Sequence, residues 1–221
     1  MPVSVLSKRG SNGASQSEEA YTQIRSMIVS LKLVPGSLIN ESELMETLRL
    51  GRTPIREALR ALASEKLVDV YPRRGMFVTS VDVQNLSALS EVRSVLEIKA
   101  AGLAATRSTS EEKIVTVELI AEIDAIKGEP DMAKLIVLDQ KIHRHIYQCT
   151  HNVFLETSLE QYYAHALRIW FLALDRVEDL SEAVKEHRAL LKAIRDGDSV
   201  AASKAMRDHV EGFESSIRKS L

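Results

Sequence analysis

Residues 51–62 read GRTPIREALRAL, and two patterns share this one stretch. At 100° per residue, Ile55, Ala58, Leu59 and Leu62 form an apolar row, while Arg52, Thr53, Arg56 and Arg60 fall on a separate stripe. A helix that only fills a core needs the first pattern and has no use for the second. Arginine suits duplex DNA, because its planar fork matches guanine O6 and N7 in the major groove and also pairs with phosphates. Arginines that merely solvate a helix face are common, so the flanking sequence decides between the two.

Upstream, Tyr21, Ile24, Met27, Ile28 and Leu31 recur at helical spacing from Ser17 until Pro35-Gly36 interrupts them. NESELMETLRL, residues 40–50, opens with Asn40 as an N-cap and Glu43 three residues later, a capping-box pattern. Ser42, near the start of this second helix, is placed to touch a backbone phosphate. Pro54 is tolerated in the first turn of the third helix, where N–H groups lack partners anyway. After Leu67 the period changes to two. LVDVY and MFVTSV alternate as strands, joined by Pro72-Arg73-Arg74-Gly75, a hairpin turn whose arginines would reach phosphate or the minor groove and whose glycine allows close approach. Three helices and a ribbon in that order are the layout of a winged helix-turn-helix, whose basic helix can insert its free end into the groove. With helix, helix, basic helix and basic ribbon tip all in sequence, DNA binding outweighs simple solvation.

Beyond Val81 the apolar period is helical throughout, over roughly 83–106, 110–126, 131–149, 153–175, 179–196 and 198–219. The breaks fall at Ser108-Thr109-Ser110, Gly128-Glu129-Pro130, Thr150-His151-Asn152, Glu178-Asp179 and Gly197-Asp198. Short loops between six helices predict an antiparallel bundle. The expected fold is therefore mainly α. A disordered tail (1–16) precedes a winged helix-turn-helix (17–80), and an all-helical domain of about six helices (81–221) follows.

The charge divides along the same line. Residues 1–80 hold 11 Lys and Arg against 8 Asp and Glu, and residues 81–221 hold 18 against 23. All six histidines lie in the second part, which suggests different partners for the two halves. At 45% hydrophobic and 27% charged the composition is that of an ordinary globular chain, and 5% aromatics suits helices better than a sandwich or barrel. No apolar run approaches signal-peptide or membrane-span length, and a single cysteine, Cys149, rules out an intrachain disulfide framework. A cytoplasmic location is the expectation.

A second chemical pattern lies in the helical half. Asp139 and His143 are four residues apart and share a helix face. His187 and His209 are 22 residues apart around Gly197-Asp198, so an antiparallel pair joined there brings both to nearly the same height. One carboxylate and three imidazoles in a bundle core suit a divalent ion, zinc first, with nickel or manganese as alternatives. Each histidine alone is more simply a hydrogen-bonded core or surface residue.

ESELMETLRLGRTPIREALRALASEKLVDVYPRRGMFV resembles the DNA-binding domain of the GntR family of bacterial transcription regulators. SEVRSVLEIKAAGLAA, DQKIHRHIYQCTHNVFL, EHRALLKAI and MRDHVEG are similar to the ligand-sensing domain of its FadR-type branch, the FCD subgroup. The resemblance implies DNA contacts from Ser42, Arg52, Thr53, Arg56, Arg74 and Gly75, and a metal held by Asp139, His143, His187 and His209. It also implies a homodimer on operator DNA and a small organic or sugar acid as effector. Arg93 would face the ligand cavity, unless it serves only as a salt-bridge partner of Glu97, and Asn152 would add an amide contact. Two positions depart from the family pattern: Gly51 stands where Ser or Thr is usual, and Lys66 replaces a glycine before the first ribbon strand. A regulator, most simply a repressor, is expected rather than an enzyme. The alternative, a metal-dependent hydrolase or lyase using the same cluster, lacks HExxH, a Glu-x-x-His pair and an obvious general base.

Overall fold

The computed structural model describes residues 15–127, 131–173 and 180–220. The breaks expected at Gly128–Pro130 and Glu178–Asp179, and the tail through Ala14, lie outside them. The chain divides into two compact units, with the boundary in sequence between Ser80 and Val81.

The first unit holds α1 (Gln16–Val29), α2 (Glu41–Leu48), α3 (Arg52–Ser64), β1 (Val68–Tyr71) and β2 (Gly75–Val78). Helix α1 starts with a reciprocal capping box between Ser15 and Glu18, which satisfies two otherwise orphaned N–H groups. It ends before Leu31, because Leu31 adopts a left-handed conformation at φ 58°. Asn40 caps α2 through its side chain, accepting from the N–H groups of Ser42 and Glu43, without the reciprocal bond from Glu43 that the spacing suggested. Ile24 and Ile28 of α1 pack in the same core as Ile55, Leu59 and Leu62 of α3, all with no exposure. The apolar row of the opening stretch is thus the buried one. Strands β1 and β2 pair antiparallel from Val68↔Val78 to Tyr71↔Gly75, leaving residues 72–74 as the turn. An isolated bridge, Leu38↔Phe77, extends the ribbon on its other side.

Lys66 explains the glycine usual at its position. Its φ is 62°, and it is the left-handed residue of a Schellman motif closing α3. Its N–H bonds to Ala63 O at 3.2 Å, while that of Leu67 bonds to Leu62 O at 3.0 Å.

The second unit is helical among its described residues. After a short 3-10 turn at Val83–Asn85 come α4 (Leu86–Arg107), α5 (Ser110–Asp124), α6 (Met132–Gln148), α7 (Val153–Ala173), α8 (Leu180–Asp196) and α9 (Ser199–Ser220). A capping box between Thr109 and Glu112 starts α5. Asp198 starts α9, its Oδ1 accepting from the N–H groups of Val200 and Ala201 at 3.1 and 2.9 Å. Helices α4 and α9 approach closely because Gly102 has no side chain: a Cβ there would lie 2.7 Å from Ser203 Oγ. Among the described residues, no helix is long and apolar enough to cross a membrane.

Candidate metal centre, cavity and nucleic-acid face

Helix α6 carries Asp139 and His143 on its buried face, one helical turn apart, each about 1% exposed. Helix α8 brings His187 and α9 brings His209, whose rings lie 4.1 Å apart between centroids. The tight turn at Gly197-Asp198 thus sets the two at one height. One ring nitrogen from each of His143, His187 and His209 lies within 4.8 Å of the others.

Three donor atoms converge more tightly. His143 Nε2 and His187 Nε2 are 3.1 Å apart, and Asp139 Oδ1 is 3.6 Å from the second and 4.0 Å from the first. A point equidistant from these three atoms lies about 2.1 Å from each, the ~2.0–2.2 Å contact of a bound zinc ion. Asp139 Oδ1 is also buried with no hydrogen-bond partner among the described residues. The donor set therefore fits a divalent cation.

The surrounding groups hold these side chains in place. Tyr163 donates its hydroxyl to Asp139 Oδ2, which leaves Oδ1 facing the imidazoles. His143 Nδ1 lies 3.1 Å from the Tyr147 hydroxyl and 3.3 Å from Glu97 Oε2; with the ring proton on that side, Nε2 faces the cluster as an acceptor. His187 Nδ1 lies 3.2 Å from Val184 O, which turns its Nε2 inward in the same way. Burial lowers the His187 imidazole to about 4 against the opposing pull of Asp139. Burial, then the two neighbouring histidines, holds His209 well below its ordinary value. Neutral imidazoles are the form a metal requires.

A cavity of about 240 Å³ opens beside this cluster. Asp139, His143, His209 and Tyr163 line one end, together with Arg93 from α4. Arg93 is 2% exposed, and its Nε donates to Glu97 Oε1 at 2.6 Å. Arg93 is thus both a salt-bridge partner and a cavity residue. Burial pushes the Glu97 carboxyl up, but Arg93 and His143 outweigh it and hold the group at about 2. Asn152 is not brought to this cavity. Its Oδ1 accepts from the N–H groups of Phe154 and Leu155, both at 3.2 Å, so it caps the start of α7. Tyr163, Trp170 and Phe213 also line the cavity, and no motif in the sequence singles them out. For Tyr163 and Trp170 the signal is helical spacing in the stripe 163, 167, 170 of α7, which by itself does not separate a cavity wall from a core; Phe213 lies on α9.

In the first unit Arg52, Thr53, Arg56 and Arg60 of α3 are all exposed, as is Ser42 in the first turn of α2. Arg56 Nε bonds to Glu41 Oε2 at 2.8 Å. Gly51 precedes α3 without a side-chain cap, as expected where a hydroxyl is missing. At the ribbon tip the Arg74 guanidinium lies 5.7 Å from the centre of the Tyr71 ring, and Gly75 sits at φ 105°. A Cβ on Gly75 would come within 2.9 Å of Leu38 Cδ1, the end of an exposed side chain that can turn aside, so it is the positive φ that calls for glycine there.

Residues 16–78 match the family described as bacterial regulatory proteins, gntR family, and residues 88–212 match the FCD domain. The galactonate operon transcriptional repressor of Escherichia coli is 30% identical over 204 residues, covering 80% of this chain and 86% of that protein. An uncharacterized HTH-type transcriptional regulator from an unstable DNA locus of Streptomyces ambofaciens is 27% identical over 208 residues, covering 94% and 87%. The solved structure of E. coli McbR/YncC shares the fold, with a TM-score of 0.83 at 20% identity over 94% of this chain and 99% of that one. Together the fold, the basic face and these matches define a DNA-binding transcription regulator. The chain belongs to the GntR family, in the group that carries an FCD domain. The hydrolase or lyase alternative falls away, since the family and the named relatives are regulators.

Proposed function

We propose that this regulator is a homodimeric repressor that binds operator DNA and releases it when a small carboxylic acid enters the metal-centred cavity of its helical domain. The observation that carries the reading is Asp139 Oδ1. It is buried, lacks a hydrogen-bond partner among the described residues, and faces two imidazole nitrogens at the end of a cavity that Arg93 also lines.

Asp139, His143, His187 and His209 hold a divalent cation, zinc by the preference of that donor set. Once bound, it supplies a Lewis-acidic anchor for an anionic oxygen. Arg93 meets the same acid. With Nε engaged by Glu97, its two Nη groups are the donors available for a paired contact. The relative named as a galactonate operon repressor supports an acid as the effector class. In the DNA-binding unit, Arg52, Thr53 and Arg56 read the major groove, while Ser42, Arg74 and Gly75 contact the backbone or minor groove. Two copies place their α3 helices in successive half-sites. The acid shifts the population between DNA-competent and incompetent arrangements in proportion to its differential affinity for them.

A thermal-shift screen against small carboxylic acids, run zinc-loaded and after chelation, tests the proposal. One class of acid should raise the melting temperature of the loaded protein only. Loss of the reading would follow if no acid stabilised either form.

A further inference from the structure

The charged and imidazole side chains that line the cavity of the helical domain gather at one end. Tyr163 of α7 and His209 of α9 mark the polar end. One further stretch along the same two helices, Leu167, Trp170, Phe213 and Ile217 form an apolar wall. Seven residues of helix separate Tyr163 from Trp170, an advance of about 10 Å. Phe213 spans the two regions. Its ring lies 5.2 Å from the Arg93 guanidinium carbon and 6.1 Å from the Trp170 ring in an edge-on contact.

The remaining polar lining constrains the ligand further. Glu186 lines the cavity with a half-exposed side chain, its Oε2 3.8 Å from His209 Nδ1. Arg93 is the one Arg or Lys among the described lining residues, so a second carboxylate on the ligand would face the apolar wall without a cationic partner. Ser216 contributes one hydroxyl, too few partners for a ligand with a hydroxyl on every carbon. Each hydroxyl left unpaired against Leu167, Trp170 or Ile217 would weaken binding by about tenfold or more.

We infer that the cavity takes a monocarboxylic acid with a short apolar tail, of the order of the hexanoate chain, in preference to polyhydroxylated or polycarboxylic acids. The carboxylate lies at the Arg93 and Asp139/His143/His209 end, and the tail runs along Phe213 toward Trp170 and Ile217. The inference rests on the acid-sensing reading of this same site and names its ligand class.

The test is calorimetric titration of the zinc-loaded full-length protein with acetate, butyrate, hexanoate, gluconate and citrate. Hexanoate, gluconate and citrate each have six carbons and differ in polarity. Trp170 is the chain's one tryptophan, so its emission reports directly on the tail site. Affinity should rise about fourfold per methylene from butyrate to hexanoate. Hexanoate should change Trp170 emission, and gluconate and citrate should bind at least about tenfold more weakly. Ile217→Ala should lower the ratio of hexanoate to butyrate affinity. Gluconate or citrate binding as tightly as hexanoate, or affinity independent of chain length, overturns the tail inference while the acid-sensing reading stands. If none of the five binds, both are overturned.

Discussion

His143 Nε2 and His187 Nε2 lie 3.1 Å apart, although 44 residues of chain separate them, and Asp139 Oδ1 faces them both. With both ring protons on Nδ1, two lone-pair nitrogens and a carboxylate oxygen aimed at one buried point are mutually unfavourable unless a cation joins them. Purified protein should therefore bind one divalent ion per chain. Chelation should lower the melting temperature by about 5–10 °C if the free metal had been near 100 times its dissociation constant. Tyr163→Phe, which frees Asp139 Oδ2, should weaken metal affinity about 10–100-fold. Competition against a chromogenic chelator measures this, and an unchanged affinity would remove Tyr163 from the site.

The Arg93–Glu97 pair is buried on both sides. Removing one partner strands the other charge away from water. Glu97→Ala should destabilise the protein by about 3–5 kcal/mol. Adding Arg93→Met in the same chain should restore part of that loss, because no charge is then left unpaired. Chemical denaturation of the single and double variants measures the coupling. Strict additivity would mean that the pair is not energetically linked.

On α3, the exposed stripe should behave differently from the ribbon tip. Arg52→Ala and Arg56→Ala should each weaken specific operator binding by about tenfold to a hundredfold. Arg74→Ala should weaken binding across all sequences and reduce the slope of log affinity against log salt by about 0.9. Fluorescence anisotropy at several salt concentrations separates the two effects. An operator affinity within twofold of the parent for the Arg52 and Arg56 variants together would remove α3 as the reading helix.

Cys149 is fully buried, and burial pushes its thiol up to about 11. At pH 8 its thiolate population is then about 100-fold below that of an ordinary exposed thiol. Alkylation of the native protein should be slower than that of the denatured chain by at least that factor, as followed by intact mass. Similar rates would show that the junction between α6 and α7 opens readily.

Lys66 holds a left-handed conformation that costs a residue with a side chain about 1–2 kcal/mol. Glycine loses more freedom on folding, by roughly 0.5–1 kcal/mol. Lys66→Gly should therefore stabilise the DNA-binding unit by up to about 1 kcal/mol. Equilibrium denaturation followed by circular dichroism checks the sign, and a destabilised variant would show that the lysine side chain contributes packing.

Much of the molecule was legible in one dimension, because helical and strand periods state which face of each element is buried. The apolar row Ile55, Ala58, Leu59, Leu62 and the separate stripe Arg52, Thr53, Arg56, Arg60 follow from a 100° rotation alone. So does the shared face of Asp139 and His143. The equal height of His187 and His209 follows from a tight turn between two helices, which fixes their register locally. What periodicity cannot state is which face meets which across the bundle. That choice is made by long-range packing between helices far apart in sequence. Tyr163 reaching Asp139, the Leu38 bridge to Phe77, Asn152 serving as a helix cap and the wall of Trp170 and Phe213 all depend on it. The sequence by itself determined the elements, the basic stripe and the residue types of the buried cluster. Only tertiary structure decided that three donor atoms share one centre and that the space beside it is apolar at its far end, because those are distances between helices rather than along them.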